Sequence, residues 1–274
     1  MDKLIDKLIN VALSRVVRVE RLLYSILMDY LIDNLTIKDD KIVYNTSNIN
    51  AIKALERKIE RRMSQPLEKV KDTLSKGIGR VVNQTQNITH SHAPGVSKQV
   101  TQVIVSKILN HAATTLNQKV DLQAAYAELK QTALSELEKY DGISLRELRK
   151  VLEVKIKRKG LVRRYWSRWI HDIYSQYQRV AANEVRTGLG LRFARYQGGV
   201  IDNTRSFCKE RNRKVFHVSE IEDWKLLSWK GKPESGYNPF YDCGGYNCRH
   251  RLDWISDELA FRLRPELREL YGDN

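Results

Sequence analysis

Apolar residues recur every three or four positions at the start of the chain. On a helical projection they form one broad stripe, which predicts an amphipathic helix over residues 3 to 33. The stripe consists of Leu4, Leu8, Val11, Ala12, Val16, Val19, Leu22, Leu23, Ile26, Leu27 and Leu31. Asp39-Asp40 then marks a break, and Lys41–Tyr44 is predicted to form a short strand.

Helical patterns continue through the middle of the chain. Further helices are predicted at about 49–63, 66–76, 97–116 and 122–140. Pro66 is expected to begin one of them and Gly77 to follow its end, because proline suits the first turn and glycine the position after the last. Ser144 and Glu147 have capping-box spacing, so another helix is expected to start there. The polar segment 82–95 predicts an exposed loop.

The pattern changes after Gly198-Gly199. Helical periodicity fades, and short β-prone pieces occur at 199–201 and 214–217. Gly, Pro, Asn and Cys cluster from Gly231 to Cys248, and a closing helix, kinked near Pro265, is expected over 254–270. The predicted fold class is therefore α+β, with a mostly helical N-terminal two-thirds followed by a small, cysteine-containing, loop-rich α+β module.

Two regions are predicted from this change of pattern. Residues 1–143 form a helical N-terminal region, and residues 144–274 form a second region. The second region divides into basic helices at 144–197 and a Cys/His α+β segment at 198–274.

Composition narrows the class of protein. The chain has 274 residues and a formal net charge of +15, from 48 Lys+Arg against 33 Asp+Glu, which favours a polyanionic partner. Charged or polar residues interrupt the longest apolar runs within a few positions, so neither a membrane span nor a secretion signal is expected. All three cysteines lie between Cys208 and Cys248, which suits a metal or thiol site in a reducing compartment better than a disulfide framework.

Positive charge is concentrated between Arg146 and Arg168. This segment contains ten basic residues and only two acidic ones, Glu147 and Glu153, so its net charge is about +8. Tyr165, Trp166 and Trp169 interleave with its end. This pattern suits contact with phosphate backbones without sequence reading, and the alternative is a solvated helix face with its aromatic rings in the core. The candidate nucleic-acid-binding residues are Lys155, Lys157, Arg158, Lys159, Arg163, Arg164 and Arg168.

The C-terminal third carries the most specific motifs. One stretch begins Asp202-Asn203-Thr204-Arg205-Ser206-Phe207-Cys208 and continues to a Lys214-Val215-Phe216 strand. The other runs from Asn238-Pro239 through Cys243-Gly244-Gly245 to Cys248-Arg249-His250. Ala182-Asn183-Glu184 and Tyr196-Gln197-Gly198-Gly199 precede both.

This order resembles the head morphogenesis proteins similar to phage Mu protein F. The resemblance covers roughly residues 165 to 256, and it departs from the family where Arg211 and His250 stand in place of cysteines. It implies a minor structural protein of a tailed bacteriophage head, made in the bacterial cytoplasm and carried inside the virion near the portal. Such a protein would act in head assembly and in DNA retention or ejection, with portal and capsid proteins and double-stranded DNA as partners and oligomerisation as an option.

Residue types alone suggest a metal site in the same third. Cys208, Cys243, Cys248 and His250 form a Cys3His set of the kind that zinc accepts, and a small loop-rich module gains stability from a metal. His217 is a substitute ligand. The alternative is three buried reduced thiols, with His250 bonded to a backbone carbonyl.

No catalytic motif stands out in the sequence. It contains neither a two-histidine metal motif nor a Walker loop nor a Ser-His-Asp pattern, so an enzyme is not expected. Two other functions remain open, a phage-delivered effector or nuclease and a zinc-dependent DNA-binding protein. The first requires a catalytic set, and the second requires bound metal together with base-reading residues.

Overall fold

The computed structural model describes residues 1–92, 98–120, 122–139, 142–158 and 160–272. Within these ranges the chain is mostly helical, with two small antiparallel sheets, and the predicted fold class is confirmed. The helices are α1 (Asp2–Asn34), α2 (Thr46–His92), α3 (Lys98–Lys119), α4 (Gln123–Lys139), α5 (Leu145–Glu153), α6 (Leu161–Leu189), α7 (Ser206–Arg211), α8 (Val218–Glu222), α9 (Pro239–Asp242), α10 (Asp257–Leu263) and α11 (Glu266–Tyr271). The strands are β1 (Ile37–Lys38), β2 (Lys41–Ile42), β3 (Ile143–Ser144), β4 (Phe193–Gln197), β5 (Val215–His217) and β6 (Arg251–Ile255). None of the helices described is both long and apolar enough to cross a bilayer.

The chain groups into two compact units that are discontinuous in sequence. The helical unit comprises Ile9–Leu74 and Thr115–Trp169, and the cysteine unit comprises Met1–Leu8, Ser75–Thr114 and Ile170–Asn274. The boundary predicted at residue 143 follows chain order and stays a prediction.

The helical unit contains the sheet β1-β2-β3, in which neighbouring strands are antiparallel. Asp39 and Asp40, with φ angles of 50° and 64°, form the two-residue turn between β1 and β2, as the break predicted there suggests. Asn48 is fully buried nearby, and its amide donates to the carbonyl oxygens of Thr36 and Val43. The capping box at Ser144 and Glu147 begins α5 as predicted.

The observed course of helix α2 differs from three predictions. It runs without interruption through Pro66, Gly77 and the segment 82–92, so the predicted breaks and loop are wrong there, and residues 93–97 lie outside the described ranges. The physical reason is that its buried stripe continues at helical spacing throughout. The stripe consists of Ile52, Leu55, Ile59, Met63, Val70, Leu74, Ile78, Val81, Val82 and Thr85.

Gly77 has a packing role instead of a helix-ending one. A Cβ atom added there would fall within 2.7 Å of Cε1 of Tyr174, much closer than real Cβ contacts allow. The glycine therefore lets the buried Tyr174 ring lie directly against the backbone of α2.

Glu20 is a buried carboxylate of α1 that bonds to the first turn of α6 in the helical unit. It is 4% exposed and accepts a 2.7 Å hydrogen bond from the backbone N–H of Arg163, one of the amide groups that a helix start leaves without an intrahelical partner. Burial raises the pKa of Glu20, although the bond from Arg163 opposes this effect. The folded state therefore holds the proton to a higher pH than the unfolded state does.

It follows that Glu20 makes folding less favourable as pH rises above about 4.5, the ordinary pKa of a glutamate. We expect the free energy of unfolding of the native protein to fall with pH, relative to that of the Glu20→Gln variant, through this window. Urea unfolding of both proteins at a series of pH values from about 4 to 7 measures the difference. A difference that is constant or rises with pH would contradict the expectation.

The cysteine unit is built around the sheet β5-β4-β6, with β4 in the centre and antiparallel to both neighbours. The strand predicted at 214–217 is confirmed as β5, whereas the one predicted at 199–201 is wrong, because the central strand lies earlier, at Phe193–Gln197. The closing helix is divided into α10 and α11 near Pro265, and Trp254 lies in β6. Aromatic residues pack on this sheet, with Trp254 and Tyr196 fully buried.

Candidate metal centre

Three donor side chains are brought together from two distant stretches of the cysteine unit. Cys208 lies on the short helix α7, and Cys248 and His250 lie in the turn that leads into β6. All three are at least 97% buried. The central strand β4 pairs with β6 and is followed by α7, so the sheet fixes both stretches at the same place.

The geometry of these donors suits a metal ion. Their ligand atoms all lie within 4.8 Å of one another, and the Sγ atoms of Cys208 and Cys248 are 3.9 Å apart. A disulfide would need about 2.05 Å. Two sulfur ligands of a tetrahedral zinc ion, each about 2.3 Å from the metal, stand roughly 3.8 Å apart. Nε2 of His250 is buried and has no hydrogen-bond partner among the described residues.

Backbone and side-chain donors point at the two sulfur atoms. The N–H groups of Gly244 and His250 donate to Sγ of Cys248 over 3.2 and 3.4 Å. The hydroxyl of Tyr196 donates to Sγ of Cys208 over 3.3 Å, and its ring stacks on His250 at 5.1 Å between centroids. Such outer contacts orient metal ligands and stabilise thiolates.

Two glycines make room for the donors. A Cβ added to Gly244 would overlap Sγ of Cys208 and lie 3.0 Å from Sγ of Cys248, and one added to Gly198 would lie 2.7 Å from Cγ of His250. Of the neighbouring pair Gly244 and Gly245, only Gly245 has a positive φ, at 89°, so Gly244 is needed for space instead.

The two neighbouring thiols differ in acidity. The pKa of Cys248 is lowered well below its ordinary value, because the Cys208 thiol and His250 donate hydrogen bonds to it. The pKa of Cys208 is raised, because Cys208 is the donor to Cys248 and because it is buried. Of the two thiols, Cys248 is therefore the one that loses its proton more readily.

Two sequence-predicted ligands lie outside this group. Cys243 is fully buried, and burial raises the pKa of its thiol, but its Sγ is not among the atoms within 4.8 Å of one another. His217 caps α8 instead, accepting at Nδ1 from the N–H of Ser219, and stacks on Tyr271. Three of the four predicted ligands are thus brought together.

Arg179 was not singled out by the sequence, yet it supports the centre. This side chain of α6 is 5% exposed and donates from Nη1 to the carbonyl oxygens of Cys248 and His250, over 3.0 and 3.3 Å. Its Nε donates to the carbonyl of Tyr241. An arginine in an amphipathic helical pattern gives no local signal of burial, so only the fold reveals this role.

The basic segment of the helical unit is described in part. Lys155 pairs with Glu128 at 3.0 Å, and Lys157 pairs with Glu153 at 3.1 Å and lies over the ring of Tyr24. Arg163 is exposed. Lys159 and the side chains of Arg158, Arg164 and Arg168 lie outside the described part of the structure.

The aromatic residues of this segment are also described only in part. Trp166 is 5% exposed, so its ring belongs to the core, as the alternative interpretation of the sequence expects. The side chain of Tyr165 is among those that the structure does not describe.

Comparison with protein-family models, with curated proteins and with solved structures gives no match to this chain.

Proposed function

We propose that this chain is a minor structural protein of a tailed bacteriophage head, and that zinc bound by Cys208, Cys248 and His250 stabilises its cysteine unit. One observation carries the proposal. The two stretches that resemble the Mu F-like proteins are far apart in sequence, and Cys208 of one meets Cys248 and His250 of the other in one buried cluster.

Zinc is the metal that this donor set favours. Two thiolates and an imidazole are soft to borderline ligands, which select zinc over magnesium or calcium. Cys208 and Cys248 would supply the thiolates and His250 the neutral imidazole. The buried Nε2 of His250, which has no hydrogen-bond partner among the described residues, fits a metal ligand, and Gly244 leaves room for the two sulfur atoms. Bound zinc would join α7 to the turn before β6 and so stabilise the fold.

The protein would lie inside the virion near the portal after synthesis in the host cytoplasm, in contact with portal and capsid proteins. The net charge of +15 and the basic segment around residues 146–168 support contact with packaged DNA.

Quantitative mass spectrometry of nuclease-treated particles of the encoding phage tests this proposal. We expect a low, fixed copy number, comparable to that of the portal protein. Zinc analysis of the purified protein should give one ion per chain. Absence of the protein from mature particles would contradict the virion role, whereas absence of zinc would contradict only the metal role.

DNA binding by the basic segment is tested by charge removal. Replacing Lys157, Arg158, Arg163 and Arg164 with glutamine is expected to abolish non-specific binding at moderate salt. The slope of log affinity against log salt concentration should fall by roughly 3 to 4, because each phosphate contact contributes about 0.9. Fluorescence anisotropy with a labelled duplex measures both quantities.

A matched variant locates the effect. Arg57, Lys58, Arg61 and Arg62 are four exposed cationic residues of α2, and replacing them with glutamine removes the same charge. This variant should retain most of the binding. Equal losses in the two variants would mean that the basic segment is not the DNA-binding surface.

A further inference from the structure

The three donors of the candidate metal centre line one small cavity. Its volume is about 80 Å³, which is room for several water molecules or one small anion. Cys208, Cys248 and His250 line it together with other residues that include Asn203, Thr204 and Arg249. A buried metal centre would therefore have solvent-sized space directly beside its ligands.

The three protein donors leave one coordination position of a zinc ion unfilled, and the cavity lies beside them. Among the described residues, three donors fall within 4.8 Å of one another, whereas zinc takes four ligands in a tetrahedral arrangement. Cys243, the remaining cysteine, is neither in this group nor in the lining of the cavity. Structural zinc sites are closed by four protein ligands, and sites that exchange ligands keep one position open.

We propose that the metal ion held by Cys208, Cys248 and His250 has its fourth coordination position in this cavity, and that it binds an exchangeable water or a small anion there. This inference rests on the metal part of the proposed function. The centre would then have an open coordination position, unlike a structural zinc site closed by four protein ligands.

The chemistry of the cavity favours an anion. Two thiolates and a neutral imidazole leave a divalent ion with no net charge, so an added anion meets no negative centre. The exposed guanidinium of Arg249 adds positive charge at the cavity wall, and the amide of Asn203 and the hydroxyl of Thr204 are hydrogen-bonding groups.

Cobalt(II) substitution of the whole chain tests the proposal, with azide as the probe. Cobalt absorbs in the visible range when its coordination is tetrahedral, and the bands move when a ligand exchanges. We expect saturable spectral changes as azide is added. Bands that do not respond to azide would overturn the open position, whereas failure to bind cobalt or zinc at all would overturn the metal centre itself.

Three variants separate the alternatives. Cys243→Ala should leave the sulfur-to-cobalt charge-transfer intensity and the azide response unchanged, and loss of about a third of that intensity would identify Cys243 as a third thiolate that closes the site.

Arg249→Gln should weaken azide binding several-fold without changing cobalt affinity. Arg213→Gln, a change to an exposed arginine that lines a different cavity, should not weaken it. Equal azide affinities in these two variants would place the anion elsewhere.

Discussion

Replacing Cys248 with serine is expected to lower zinc affinity by more than about 100-fold. Outer-sphere partners of metal ligands are worth about 10- to 100-fold in affinity, and removal of a ligand itself should exceed that. Cys248 is the sulfur that accepts hydrogen bonds from the N–H groups of Gly244 and His250, and it is the thiol with the lowered pKa. Chelator competition followed by metal analysis measures the affinity.

The cysteine unit should become less stable when the Cys248→Ser substitution weakens metal binding. Apparent binding free energies of structural zinc in small domains are about 10–16 kcal/mol at neutral pH, and this energy stabilises the folded state. We therefore expect a lower melting temperature for Cys248→Ser in the presence of zinc, and little further change on adding a chelator.

Cys243→Ala is the matched control, because Cys243 is an equally buried thiol outside the donor group. It should retain zinc, whatever stability it loses through repacking. Circular dichroism of both variants without metal shows whether each is folded. If Cys243→Ala lost as much zinc as Cys248→Ser, the three-residue donor set would be wrong.

Replacing Arg179 with leucine is expected to reduce the free energy of unfolding by about 3 kcal/mol or more. The variant leaves the buried carbonyl oxygens of Cys248 and His250 and the part-buried one of Tyr241 without this donor, and each buried group left unpaired costs about 1–3 kcal/mol. Arg179→Lys should lose an intermediate amount, because one ammonium group cannot reproduce the spread of the guanidinium fork.

Denaturant unfolding of the zinc-loaded protein measures these differences. Arg262→Gln serves as the control, because Arg262 is 72% exposed and its pair with Glu258 on α10 is worth only about 0.3–0.5 kcal/mol. If Arg179→Leu were no less stable than this control, the hydrogen bonds of Arg179 would contribute nothing to folding.

The sequence predicts elements whose signal is local. The stripe over residues 3–33 predicts α1, and the spacing of Ser144 and Glu147 predicts the start of α5, because both depend only on neighbouring positions. Pro66 and Gly77 mislead for the same reason. Their local preferences are outweighed by the burial of one continuous stripe and by the contact of Gly77 with Tyr174.

The candidate site could also be predicted only as far as local sequence signals reach. The types of residue and the choice of Cys208, Cys248 and His250 as candidates follow from the sequence. Which of the four candidates meet does not, because the distance of Cys243 from the others depends on the path of a loop whose turn includes Gly245. The roles of Arg179 and Tyr196 depend on contacts between elements far apart along the chain, which no local pattern records.

The central position of β4 has a consequence for the order of assembly. Its hairpin-like partner β5 follows soon after it along the chain, whereas β6 comes much later, beyond α8 and α9. Closing the longer loop costs more entropy, so β6 is expected to dock last. Because Cys248 and His250 lie just before β6, the donor cluster would be completed only when the final strand pairs, and metal uptake would report that the unit has finished folding.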